Sequence, residues 1–376
     1  MRLSRRRLLA ATAAAGSATL LGPTLLGHAP VAAAAPPAPD TGTEQGWLDW
    51  LRRHRDHAAV VVDNGSGGRI AHRATADHVL ASTIKVVHLA GYATAVTEGR
   101  LDPDQQVRVG DWEAYYPGFD GGAHGHALAA LGVPNNGVVA TDPEHRVSVD
   151  QLAHAMITYS DNAATDYLRD LLGDPVLRRA AHRAGWRDPD LRSLLGEVIL
   201  LILPERAPRP GAPASVRRAV GDRLARQAMS DPDLQRELTE RVSQVPDYTG
   251  QLPWARQHGK GSARDLAAIH SALASGSFTP HGAVPVARDH LERQARENGP
   301  LPPGVLGIGF KGGSLPGVLN LAYSVRWADG RVGVGVVLVD GIDQDTQADA
   351  MPLALLIQHA LADPAWLDRL ATALTG

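Results

Sequence analysis

Apolar runs with strand character stand near both ends of this sequence, and helical patterning fills most of the interval. Ala58 to Asp63 is such a run. Asn64-Gly65-Ser66-Gly67-Gly68 supplies turn chemistry and Arg69 to His72 resumes an extended pattern, so a hairpin opens the domain. Near the other end, Gly304 to Phe310, Val318 to Trp327 and Arg331 to Val339 read as three more strands, the last two joined by Ala328-Asp329-Gly330. From Ser82 to about Ser277 the pattern is mostly amphipathic helix, and Gln347 to Ala362 is apolar at helical spacing despite Pro352. The economical fold is α/β of the α+β type: an antiparallel sheet built from both ends of the chain, with flanking helices and an inserted all-α lobe. Residues 107–140 and 204–256 read as insertions in that lobe.

The first 34 residues have a different composition. Ser4-Arg5-Arg6-Arg7-Leu8-Leu9 fits a twin-arginine export pattern, an alanine-rich apolar stretch follows, and Ala32-Ala33-Ala34 offers a small-residue cleavage site. Residues 35–45 then read as a Pro/Ala-rich leader with no core to join, and 46–376 as one catalytic domain. Removing 1–34 takes away Arg2, Arg5, Arg6 and Arg7 and no acid, moving the formal net charge from -3 to -7. A body this acidic is a poor nucleic-acid binder. The expectation is an exported, extracellular or cell-envelope monomer without stable membrane insertion once the signal is removed. With no cysteine in the chain, disulfides, thiol nucleophiles and cysteine metal sites are excluded.

Only three of the 37 basic residues are lysine; the rest are arginine. Guanidinium does not lose its proton in a protein, whereas a crowded ammonium can. Lys85 follows Ser82 by three residues in Ala81-Ser82-Thr83-Ile84-Lys85, which puts hydroxyl and amine one helical turn apart on one face. Lys311 stands in Phe310-Lys311-Gly312-Gly313-Ser314 at the end of an expected strand, where glycine lets a substrate backbone approach closely, so Gly313 and Ser314 are substrate-binding candidates. Between them, Tyr159-Ser160-Asp161-Asn162 joins two apolar helices. Each motif alone is weak; the three in order, each in a fitting element, are strong.

Together they resemble the active-site signature of the penicillin-recognising serine hydrolases, most closely the class A β-lactamases, over nearly the whole chain from Ala58 onward. The resemblance implies that Ser82 is the acylated nucleophile, Lys85 its base or proton relay and Ser160 the donor to the leaving nitrogen. It implies that Asn162 and Lys311 bind substrate, and that the backbone N–H groups of Ser82 and Ser314 form the oxyanion hole. The expected function is hydrolysis of β-lactams, small-molecule substrates, through an acyl-serine without cofactor or metal. An esterase or D-alanyl peptide hydrolase, and a binding or sensor protein without turnover, are the alternatives.

Two departures bear on this. Gly312 stands where the family has a hydroxyl residue and Ser314 follows, so a substrate carboxylate would lose one donor or find it one residue later. Glu197 stands about where class A enzymes carry the deacylating glutamate, yet Leu201 replaces the asparagine four residues on; a helix-capping or buried structural carboxylate is the other reading of Glu197. His124 and His126 are expected in a loop lining the cleft rather than on a metal. Trp112, Tyr115 and Tyr116 either wall the cleft or pack in the core. Ser262 with Asp265 reads as a capping box, against a phosphate loop at Lys260.

Overall fold

The computed structural model of the chain describes residues 39–209 and 211–375; the expected export segment lies outside the described residues. In chain order the helices are α1 (Glu44–Arg53), α2 (Lys85–Thr97), α3 (Val109–Glu113), α4 (Ala123–Ala130), α5 (Val149–His154), α6 (Asn162–Leu172), α7 (Asp174–Arg183) and α8 (Leu194–Ile202). They continue as α9 (Ala214–Ala228), α10 (Pro232–Arg241), α11 (Tyr248–Ala255), α12 (Ala263–Ser275), α13 (Ala283–Glu297), α14 (Gln344–Ala348), α15 (Ala350–Ala362) and α16 (Pro364–Thr375). The strands are β1 (Ala58–Asp63), β2 (Arg69–His72), β3 (His78–Val79), β4 (Gln106–Arg108), β5 (Arg146–Ser148), β6 (Lys260–Gly261), β7 (Val305–Leu315), β8 (Val318–Trp327) and β9 (Val332–Asp340).

The sheet runs β2-β1-β9-β8-β7 with every neighbour antiparallel, so strands from the two ends of the chain are hydrogen-bonded to each other, Val60 opposite Val337. Period-two alternation divides the side chains between two cores. Ala58, Val60 and Val62 of β1 with Val337 and Val339 of β9 pack under α1, α15 and α16. Ala59, Val334, Val336 and Leu338 face the helical lobe with Leu89, Leu152 and Leu266. The same alternation sends Phe310 to the first face and leaves Lys311 and Gly313 pointing to the lobe, a placement that a one-residue slip would invert.

Three segments differ from the sequence reading. The leader joins the core before residue 46: Thr43 caps α1, Trp47 and Leu51 are fully buried, and Thr41 Oγ1 donates to Asp349 Oδ2 at 2.6 Å. β7 continues through Leu315, which places Lys311 inside a strand rather than at its end. His124 and His126, expected in a loop, stand in α4. The second insertion folds as α9 to α11, whose Leu224 and Leu234 pack on Leu195 and Ile199 of α8. Ser262 caps α12 with Asp265, as its spacing predicts. Among the described residues no helix is long and apolar enough to cross a membrane.

Three histidines, His88, His258 and His270, are enclosed so fully that burial pushes each down to about 4. Unfolding returns them to about 6.5, so between those values the unfolded chain binds more protons. Stability is therefore full above pH 6.5 and should fall as pH drops toward 4. Three protons correspond to about 3–4 kcal/mol per pH unit near pH 5. Urea midpoints measured from pH 7.5 to 4.5 check this; a flat profile would refute it.

Candidate active site

Ser82 stands on the 3-10 turn Ala81–Ile84 that leads directly into α2. Ala81 is held at φ 48, a left-handed conformation that costs an alanine roughly 1 kcal/mol and persists only where surroundings enforce it. Two neighbours from the far end of the chain do so. Buried Asn320 of β8 donates from Nδ2 to Val79 O (2.7 Å) and Leu80 O (3.0 Å). On the other side β7 lies against the turn so closely that a Cβ on Gly313 would come within 2.7 Å of Ser82 N and 2.8 Å of Thr83 N. Both obstacles are backbone, so Gly313→Ala should displace the turn and slow covalent labelling of Ser82 by roughly tenfold or more, with overall helicity retained. Rate measurement alongside circular dichroism checks it; an unchanged rate would show that the turn can yield.

The second motif interrupts a helix. After α5 the chain makes one wide π turn, Ala155–Tyr159, and Ser160 ends it in the left-handed region at φ 62. Asp161 then caps α6, accepting Ala164 N at 2.6 Å, so Asn162 begins that helix. This reversal turns Ser160 and Asn162 toward Lys85. Lys85 Nζ donates to Asn162 Oδ1 (2.7 Å), Ser160 O (2.5 Å) and Ser160 Oγ (3.2 Å). From the sheet, Lys311 Nζ donates to the same Ser160 Oγ at 3.0 Å and to Gly312 O at 3.0 Å. A hydroxyl accepting from two amines keeps its own proton free to donate elsewhere.

Both lysines are buried. Burial lowers Lys85 to about 8, against the opposing pull of Asp161, Asp120 and Asp166. Burial together with the charge of Lys85 holds Lys311 well below its ordinary range. An amine near 8 has a sizeable neutral fraction at neutral pH and can take up a proton.

The structure brings Ser82, Lys85, Ser160, Asn162, Lys311 and Gly313 together, with Ser314 next along β7 opposite Leu319. Glu197 is a correction. It lies in α8 but is bound on both oxygens: Arg192 Nη1 donates to Oε1 at 2.6 Å, and Arg217 donates to Oε2 from Nη2 at 2.7 Å and Nε at 3.0 Å. Burial alone would raise its pKa, but His258, Arg192 and Arg217 hold the carboxyl below the usual range. With lone pairs directed at guanidinium protons the carboxylate ties α8 to α9, which favours the structural reading of Glu197. Asp166 is occupied as well, accepting from Ser193 Oγ, Leu194 N and Leu195 N at the start of α8.

Other expectations resolve in the same way. Trp112 and Tyr115 are buried in the core of the lobe rather than lining a cleft. His124 is enclosed in α4, 2.7 Å from Asp161 Oδ2. Among the described residues no group of three or more His, Asp or Glu is arranged to hold a metal ion. At Gly312, the ring of Phe310 lies where a side chain would be, 3.0 Å from a built Cβ. Asn320 escaped the motif reading and Asp161 stood in its motif without a role, although an asparagine amid the apolar run of β8 and a cap-forming aspartate before Asn162 were visible in the sequence.

The fold is similar to that of solved β-lactamases. The crystal structure of a beta-lactamase from Sphaerobacter thermophilus superposes with TM-score 0.53 at 18% identity, covering 83% of this chain and 95% of that one. A beta-lactamase from Chitinophaga pinensis gives TM-score 0.53 at 13% identity, over 85% and 99%. No curated protein matches the sequence. The beta-lactamase enzyme family matches residues 49–355, from within α1 to within α15, a span that contains the whole sheet and all three motifs. On that match the chain belongs to the beta-lactamase enzyme family and is a serine β-lactamase-like hydrolase.

Proposed function

We propose that the protein opens β-lactam amides, small-molecule substrates, through an acyl-serine on Ser82. The observation that carries the reading is the Ser160 hydroxyl held between the Lys85 and Lys311 amines. Neutral Lys85 takes the Ser82 proton as the Oγ–C bond forms, and the backbone N–H groups of Ser82 and Ser314 receive the developing oxyanion. As the C–N bond breaks, Ser160 gives its proton to the leaving nitrogen and is reprotonated by Lys85, which returns to the neutral form. Asn162 and Lys311 orient the substrate. No cofactor enters this scheme, and we assign it to a monomer exported through residues 1–34.

A second reading concerns the fate of the acyl-enzyme. With Glu197 locked between Arg192 and Arg217, water lacks the activating carboxylate that the family resemblance implied, which favours slow deacylation and a penicillin-binding or sensor role. The missing hydroxyl at Gly312 leaves a substrate carboxylate one donor short, which supports an esterase or D-alanyl peptide hydrolase as the alternative. Intact-protein mass spectrometry with a chromogenic cephalosporin, sampled alongside absorbance, separates these. A transient adduct with accumulating colour supports hydrolysis, and a persistent one supports the sensor. No adduct would remove β-lactams and leave ester substrates to be tried.

A further inference from the structure

The Ser160-Asp161-Asn162 turn is backed by a buried imidazole. His124 Nδ1 lies 2.7 Å from Asp161 Oδ2, and its Nε2 lies 3.2 Å from Glu113 Oε1. Both acceptors are carboxylates, so both ring nitrogens carry protons and the ring is a cation. Tyr116 stacks on it with centroids 4.2 Å apart, and Trp112 meets it edge-on at 4.7 Å. Glu113 also accepts Ala140 N at 2.6 Å, which fixes its own position.

Resting on the acyl-serine reading, we propose that His124 is a positioning residue whose cation holds Asp161 as the cap of α6 and offsets the negative field of Asp161 and Asp120 on Lys85. Asp161 is shared: Oδ1 takes Ala164 N and Trp112 Nε1 (3.3 Å), and Oδ2 takes His124. The groups facing Lys85 are Asp161 from the turn, Asp120 from the loop before α4, Asp166 and Asn162 from α6, Lys311 from β7 and neutral His88 on its own helix. Facing His124 are Asp161, Glu113 and Asp120, whose carboxylate also accepts the His124 backbone N–H at 2.9 Å. The three acids pull against the burial that lowers Lys85, and a cation bound to Asp161 weakens that pull.

Burial alone would discharge His124, but hydrogen bonds to Asp161 and Glu113 raise it to about 9. Its folded value lies above its unfolded one. The contribution is therefore complete below pH 6.5 and is lost as pH rises through 9, which leaves it in force at neutral pH.

The test is the pH dependence, from 6 to 10, of the rate of adduct formation with a chromogenic cephalosporin in three proteins. His124→Asn keeps a neutral donor to Asp161, and its acid limb should move up by about one pH unit. That is roughly tenfold slower labelling at pH 7, with rates converging near pH 10. Asp161→Asn, which retains a competent helix cap, should move the limb the opposite way, so the test survives if His124→Asn fails to fold. A uniform loss at every pH would reduce His124 to a packing residue, and unmoved limbs would overturn the proposal. Absence of an adduct in the unsubstituted protein would sink the acyl-serine reading, and this inference with it. A normal adduct with unshifted variants would sink the inference alone.

Discussion

Ser82→Ala should abolish covalent labelling by a cephalosporin and reduce hydrolysis of any accepted substrate on the order of 10³-fold or more. Neither Ser160 nor Thr83 is placed to substitute for it. Ser160 Oγ is committed to two lysines, and Thr83 Oγ1 donates to Leu80 O at 2.7 Å in the core. The loss should come without a stability change beyond about 0.5 kcal/mol, because Ser82 is only partly enclosed. Intact mass and a thermal melt on the same sample check both halves. A Ser82→Ala protein that still acquires the adduct would place the nucleophile elsewhere.

Glu197→Gln should act on folding instead. The substitution leaves the guanidinium groups of Arg192 and Arg217 buried against a neutral amide, a situation that costs about 3–5 kcal/mol. For a domain of this size the melting temperature should fall by roughly 5–10 °C. At a temperature where the variant is folded, its acylation rate and the lifetime of its adduct should match those of the unsubstituted protein. A deacylating base would give the reverse result, an unchanged melt with a trapped adduct. One variant therefore decides between the two readings that the sequence leaves open at this position.

The difference between what could be read in advance and what could not follows the range of the interactions. The sheet, the hairpin at 58–72 and the element carrying each motif were legible because alternation, turn chemistry and Ser-x-x-Lys spacing are local patterns. So was the cap formed by Ser262 and Asp265. The clamp on Glu197 was not, since Arg217 arrives from a helix twenty residues on and arginine is the ordinary surface cation of this chain. His124 has partners eleven and thirty-seven residues away, so neighbouring sequence holds no sign of its ionisation. α1 was missed for a different reason. Its Trp47, Leu48, Trp50 and Leu51 form a readable apolar face inside the domain drawn from residue 46, but the expected elements began only at Ala58.

Sheet order also governs when the site can exist. Ser82 lies in the first quarter of the sequence, yet the groups that force its turn into shape, Asn320 and Gly313, come from strands made last, and β1 finds its central partner only in β9. During synthesis the nucleophile therefore leaves the ribosome long before anything can orient it. A chain truncated before β8 would carry the hydroxyl and both lysines without the geometry that links them. Contacts between such distant positions form slowly, because the intervening loop must be closed before they contribute. Reactivity at Ser82 should thus appear late and all at once, as a property of the finished chain.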